Sequence, residues 1–321
     1  MENRSRLNNM EIRCAIPELL DFSVKNSEVW DTIKPFVTRI ISLESDEWCT
    51  IEKKVRHKVR GALRERLIAF LRLADRPSAQ AEIDSRYSTR WSQDGFSPFH
   101  FPSDKKGGTP FKFDGRGFRM YNSGYRRARL LYIMRLIEQL RPNSVLEVGF
   151  GEGLNLALLS ARYPHIKFSG IELTAGGIGA AKGLQGESLL PDFLSRFSPL
   201  PLSDSAAHRR VDFRRGSAAE MPWPDGSFDL VFTSLALEQM EGIRHAALSE
   251  IARLCGKYTL LLEPFLEFNR SGLNRKYLWS KKYFRGAIRE LHQFGISPGF
   301  MISDLPEKLF LKPVIVVCSK L

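Results

Sequence analysis

The residues with the clearest chemical content lie in one short stretch and one strand beyond it. Ser144–Leu159 reads SVLEVGFGEGLNLALL: an apolar run enters Gly149-x-Gly151-x-Gly153, and an amphipathic helical pattern follows. Glycines at such a turn let the backbone bend sharply and approach a ligand more closely than a Cβ permits. The helix start adds backbone N–H groups that no turn of helix satisfies. A dinucleotide site wants G-x-G-x-x-G, but position 154 is Leu and the third glycine comes one residue early. A phosphate loop wants Gly-Lys-Ser/Thr, and none follows. Glu147, two residues before the first glycine, would repel a pyrophosphate and suits a cationic amine. The run Lys167–Leu173 places Glu172 at its end, nineteen residues after Gly153. A carboxylate there can accept both hydroxyls of a ribose, at about 1.5–3 kcal/mol for a hydrogen bond to a charged group. The structural alternatives are a loop-capping role for Glu147 and an exposed strand-end acid for Glu172. Taken as ligands, the loop and the two acids describe a nucleoside with a cationic amino-acid tail and no phosphates, which S-adenosylmethionine fits.

The elements that must position these residues are legible around them. From Ser144 onward short apolar runs occur at 144–148, 167–173, 211–214, 228–234, 258–262, 300–302 and 314–318. Helix-like segments separate most of them, at 154–161, 174–184, 245–254 and 283–294. This grammar predicts an α/β fold with a doubly wound, seven-stranded, mostly parallel sheet. The last two runs are joined by a short polar connection, which predicts an antiparallel hairpin at one end of that sheet. Upstream, 27–43, 47–73 and 123–140 carry helical periodicity. The second of these has Trp48, Ile51, Val55, Val59, Leu63, Leu67 and Phe70 on its apolar positions and a basic opposite side. Between 85 and 114 aromatic residues mix with Gly, Pro and charges without a period, the text of a lid or binding loop.

Residues 144–264, and on to 321, resemble the class I S-adenosylmethionine-dependent methyltransferases, in particular the quinone-biosynthesis and small-molecule group. The motif E-x-G-x-G-x-G is met by Glu147, Gly149, Gly151 and Gly153, and the acidic end of the second strand by Glu172. Gly216–Asp229, GSAAEMPWPDGSFD, resembles the stretch G-D-A-x-x-L-P-F-x-D-x-S-F-D. Val231, Ser234, Leu237 and Glu238 then follow V-x-x-S-x-x-L-E-H until Gln239 departs from it. The resemblance implies a Rossmann-like fold with S-adenosylmethionine over the glycine loop, Glu147 near its amine and Glu172 on its ribose. It implies Ala218 and Ala219 against the adenine, Met221 as an apolar wall, and Ser234 and Leu235 bordering the sulfonium. Ser217 stands where the family often has Asp, so adenine binding leans on backbone contacts.

The domain boundary follows as 1–120, a basic helical and aromatic-loop extension for acceptor binding or closure, and 121–321, the cofactor-binding domain. Oxygen acceptors need a base; the candidates are Glu238 and Glu263 at strand ends, then His100, His245 and His292. The chain carries 48 Lys and Arg against 36 Asp and Glu, a net +12, and 27 of those cations against 18 acids fall in residues 1–141. That balance is a clue to an anionic acceptor; that the acceptor is small-molecule or glycan-like, methylated on oxygen or carbon rather than nitrogen, is what the resemblance implies. RNA, gripped by the basic helix and by residues 265–285, is a rival acceptor, and a non-catalytic scaffold or cofactor sensor is a rival from another class. Four scattered cysteines and six scattered histidines give no metal or disulfide pattern. No apolar run is long enough to span a membrane, though peripheral contact stays open, and the polar start of the chain leads us to expect a cytoplasmic protein.

Overall fold

The inner strand-forming runs are apolar on both sides, as a sheet covered on both faces demands, while the run at 211–214 is half polar. In a computed structural model, which describes residues 15–71, 107–270, 272–281 and 283–321, all seven join one sheet. In chain order the elements are α1 (Asn26–Ile33), β1 (Val37–Ile41), α2 (Asp46–Leu71), β2 (Thr109–Phe113), β3 (Arg116–Met120), α3 (Asn122–Leu140), β4 (Ser144–Val148) and α4 (Leu154–Arg162). They continue with β5 (Lys167–Glu172), α5 (Ala175–Gly186), α6 (Asp192–Phe197), β6 (Asp212–Arg215), β7 (Phe228–Ser234), α7 (Arg244–Leu254) and β8 (Cys255–Glu263). The last are α8 (Gly272–Lys281), β9 (Ile296–Ile302), β10 (Glu307–Lys308) and β11 (Val314–Lys320).

The large sheet runs β6-β5-β4-β7-β8-β11-β9, parallel through β8 and antiparallel where β11 lies between β8 and β9. Alternate strand residues serve opposite faces. Val145, Leu230, Phe232, Leu260 and Ile315 pack into the core shared with α3 and α4, whereas Leu146, Val231, Leu261 and Val316 pack into the core shared with α7. The strand order reverses between β4 and β7, and the crevice beyond their carboxyl ends is where such folds bind ligands.

A second sheet, β1-β3-β2-β10, was not legible beforehand. The helix expected over 27–43 stops at Ile33, because Lys34-Pro35 forms a short turn and Val37–Ile41, rich in β-branched residues, runs as a strand. At the end of the stretch expected to be irregular, and running past it, β2 and β3 form a two-residue hairpin on Asp114-Gly115, both with positive φ (51° and 69°). Asp114 is held there by Asn26 Nδ2 at 2.8 Å and Trp30 Nε1 at 3.2 Å. The connection between β9 and β11 is more than a polar link, since its Glu307 and Lys308 pair with Lys112 and Phe111 of β2. Residues 283–294 form no α-helix either. Phe284 N donates to Glu238 O at 3.0 Å and Leu266 N to Gly286 O at 3.0 Å, so the backbone is tethered in extended form before a short 3-10 turn at Ile288–Phe294. The helix in this region is α8, placed in what reads as loop. The aromatic residues Tyr87, Trp91, Phe96, Phe99 and Phe101, together with His100, lie outside the described residues.

Phe118 is fully buried between Phe111 and Trp30, with ring centroids 6.1 and 5.1 Å away. Phe118→Ala should therefore cost about 3–5 kcal/mol, read as a lower denaturant midpoint at unchanged slope.

Candidate active site

The turn after β4 is built on backbone geometry that side chains would obstruct. Gly149 and Gly153 have φ of +76° and +79°, and a Cβ on them would sit 2.6 Å from Ala236 Cβ and 2.8 Å from Ala181 Cβ. Glu172 holds this turn from the neighbouring strand. Its Oε2 accepts from Gly151 N at 3.0 Å, and its Oε1 accepts from Thr174 N at 2.9 Å and Thr174 Oγ1 at 2.8 Å. Thr174 Oγ1 in turn accepts from Gly177 N and caps α5. One carboxylate thus joins the glycine turn to the start of the next helix, and Glu172 also lines the crevice.

Glu147 is buried at the end of β4, and its Oε1 accepts from Asn155 Nδ2 at 2.7 Å. Its Oε2 is buried with no hydrogen-bond partner among the described residues. Burial pushes this carboxyl from 4.5 up to about 8. An unsatisfied acid oxygen facing a cavity is a receptor for a cation or a donor. The cavity has a volume of about 380 Å³, within the usual size for a small ligand.

Glu147, Gly149, Gly151, Glu172, Ser217, Ala218, Ser234, Leu235 and Glu238 all line this cavity. Gly153, Ala219, Met221 and Glu263 do not. Gly153 caps α4 behind the turn, Ala219 N donates to Ser217 Oγ at 3.2 Å, and Met221 is packed in the core with α7. Glu263 is wholly buried beneath the loop after β7. Its Oε1 accepts from Ala236 N and Leu237 N, both at 3.0 Å, and its Oε2 accepts from Glu238 N at 3.1 Å. It braces the loop that carries Glu238 and does not itself line the cavity. Burial, with Glu238 nearby, pushes the Glu263 carboxyl up to about 8 as well. The loop needs that anchor, because Leu235 has φ +57°, a conformation costing about 1–3 kcal/mol for a residue with a side chain. His245 meets the Phe294 ring edge-on and, like His292, lies off the cavity.

The sequence reading missed the cations of the wall. Arg126 and Arg129 reach the cavity from α3, and Lys308 reaches it from β10. Arg126 is paired with the buried Glu152. Arg129 Nη1 donates to Ser234 Oγ at 2.9 Å, and its guanidinium lies 4.9 Å from the Tyr125 ring. Lys308 Nζ lies 5.2 Å from the same ring. Burial pulls the Arg129 pKa below its ordinary value. The run Tyr125-Arg126-Arg127-Ala128-Arg129, just before the glycine strand, was a usable signal; nothing local marks Lys308. Among the described residues no group of His, Cys, Asp and Glu could hold a metal ion.

Residues 146–258 match the methyltransferase domain family. No curated protein matches the chain. Among solved structures, magnesium protoporphyrin IX methyltransferase of Synechocystis PCC 6803, with bound S-adenosylhomocysteine, is 14% identical, with 76% of this chain and 100% of that one covered at a TM-score of 0.49. Geranyl diphosphate C-methyltransferase of Streptomyces coelicolor A3(2) is 11% identical, with 77% and 100% covered at a TM-score of 0.50; that likeness is one of fold. The matched domain spans β4 to β8, and S-adenosylmethionine is the cofactor that this likeness brings with it. The orphaned Glu147 oxygen and the cavity beside the glycine turn fit that cofactor.

A cationic amine beside Glu147 Oε2 favours the carboxylate, so ligand binding should expel a proton below about pH 8. Affinity for S-adenosylhomocysteine should rise with pH up to that value and then level. In the free protein the sign is opposite. The neutral carboxyl is the form the fold prefers, so its stabilising contribution is full below 4.5 and is lost as pH rises through about 8. Calorimetry in buffers of different protonation enthalpy checks the proton release, which Glu147→Gln should abolish.

Proposed function

We propose that the chain methylates an oxygen or carbon of an anionic small-molecule or glycan-like acceptor. In this reading residues 121–321 hold the cofactor and residues 1–120 help to bind or enclose the acceptor. The observation that carries it is the cationic wall: Arg129 and Lys308 flank Tyr125 inside the cavity, next to Ser234 and Glu238. Both cations stand beside one buried ring, with Glu238 near Arg129, and an acceptor anion in the cavity would gain Coulomb attraction to both. Glu147 and the glycine turn take the cofactor, with Glu172 and the Ser217-Ala218 segment along its nucleoside.

The bound cofactor supplies an electrophilic methyl group on sulfur. What the protein adds is alignment, worth up to about 7–11 kcal/mol for a well-positioned pair. Glu238 is the base in this reading, and Glu263 fixes its backbone. Arg129 orients Ser234 at the border of the reacting atoms and draws the acceptor anion inward. No described helix is long and apolar enough to cross a membrane, and we infer that the reaction takes place in the cytoplasm.

Purified protein given cofactor with a labelled methyl group and a cell extract should label small molecules that are retained on an anion exchanger. Label confined to RNA would reject the reading. With the acceptor so isolated, Glu238→Gln should lower kcat by about 10²–10⁴-fold at unchanged cofactor affinity. Lys308→Glu should raise the acceptor KM and leave cofactor binding intact, as calorimetry would show.

A further inference from the structure

Four residues of α3, Asn122, Tyr125, Arg126 and Arg129, line the cavity from one face of the helix, at spacings of three and four. Their two guanidinium groups are held to different strands. Arg129 donates to Ser234 at the end of β7, and Arg126 pairs with Glu152, which lies between Gly151 and Gly153 in the turn after β4. The Arg126–Glu152 pair is largely buried, at 13% and 5% side-chain exposure. Arg126 is the one side-chain donor that the described residues give Glu152, whose Oε2 is buried without a partner. An ion pair taken out of water returns less than its desolvation costs unless further partners complete it. This one stands on the wall of a ligand cavity, beside the acid already read as a receptor. Burial dominates the upward shift of the Glu147 carboxyl, and of the cations that oppose it Arg126 acts more strongly than Arg129. The start of α3 adds to the same corner. Asn122, its first residue and one turn from Arg126, lines the cavity, and its first turn carries no acid and no cap from the Tyr121 side chain. The positive end of a helix thus faces inward where an anion could sit.

From this we infer that Arg126 takes the α-carboxylate of S-adenosylmethionine and that Glu152 positions it for that contact. The inference rests on the cofactor placement given above, with the amine at Glu147. In an α-amino acid the amine and the carboxylate hang on one carbon, so a receptor for the first fixes the second in its immediate neighbourhood. A guanidinium presents five N–H donors in a planar fork, enough to serve Glu152 and a ligand carboxylate together. Arg129 is engaged with Ser234 and, with Lys308, belongs to the corner read as the acceptor's. The consequence is selectivity. A ligand that keeps the nucleoside and the amine but lacks the carboxylate gains nothing from Arg126, so this residue separates the cofactor from its decarboxylated form.

Calorimetry of the full chain with two ligands tests this. One is S-adenosylhomocysteine, and the other is the adenosyl aminopropyl thioether, the same molecule without its carboxylate. The wild-type chain should prefer the first. Arg126→Gln should weaken S-adenosylhomocysteine by about 30-fold and leave the aminopropyl ligand nearly unchanged. Because that variant leaves Glu152 without its cation, Arg126→Gln with Glu152→Gln is measured beside it and should show the same selective loss. Glu152→Gln alone should also weaken only S-adenosylhomocysteine, since Arg126 is then no longer held at the turn by a charge. Binding of the aminopropyl ligand shows in each case that the cavity is intact. Glu147→Gln, in contrast, should weaken both ligands alike. Equal losses of the two ligands in the Arg126 variants, or wild-type affinity for S-adenosylhomocysteine in any of the three, overturns the proposal. If Glu147→Gln still weakens both ligands in that case, the cofactor placement stands and the proposal alone fails. If Glu147→Gln leaves both unchanged, the placement fails and the proposal with it.

Discussion

A ligand crevice at the ends of parallel strands leaves loop N–H groups without strand or helix partners, and buried glutamates meet that need in this protein. Glu172 binds Gly151 N and Thr174 N, and Glu263 binds the three successive N–H groups of residues 236–238. Burying a carboxylate is costly, and several N–H donors on one acid offset the cost. Each acid thereby fixes one lip of the crevice: Glu172 the glycine turn, Glu263 the turn beyond Leu235. Glu147 belongs to the same set but has one donor, Asn155, so its second oxygen is left for a ligand. The difference between scaffold and receptor among the three acids is the number of N–H groups aimed at them.

The helix α3 is the other frame of the site. Its Arg127 donates to Thr32 O and to Ser198 O, each at 3.0 Å, binding the N-terminal elements to the loop after α6. On another face of the helix, Arg126 and Arg129, three residues apart, pair with Glu152 of the glycine turn and grip Ser234 at the end of β7 respectively. Tyr132 OH donates to Asp304 O at 2.8 Å, close to where the β9–β11 connection supplies β10. The small sheet, the cofactor turn and the cationic wall are thus registered against a single helix. This is why Lys308, remote in the chain from the glycine turn, stands over the same Tyr125 ring as Arg129.

Some misreadings of the sequence share one cause. Residues 27–43 and 283–294 have helix-compatible apolar spacing, yet β1 finds a partner in β3, and residues 284–288 are drawn out by bonds to Glu238 O, Glu241 and Glu267. Tertiary partners overrode a local period in both cases. The hairpin at Asp114-Gly115 was different, because its signal was local but was cut off at the edge of an irregular stretch. Gly153 and Glu263 illustrate the limits for the site. A motif identifies which residues recur near a cofactor, but whether a given one faces the ligand or braces the wall depends on where neighbouring N–H groups point.

The sequence by itself determined the parallel core, the glycine turn and the strand-end acids. Those rest on contacts between near neighbours in the chain and on apolar runs that have few other ways to be buried. The tertiary structure alone decided which acid is left open, which cations reach the cavity and which of them meets the glycine turn. The glycine turn and Glu147 are joined by two residues of chain, so spacing suffices to unite them. Arg129, Ser234 and Lys308 meet only because a sheet, a helix and a two-residue strand are packed together, and side-chain periodicity carries no record of that packing.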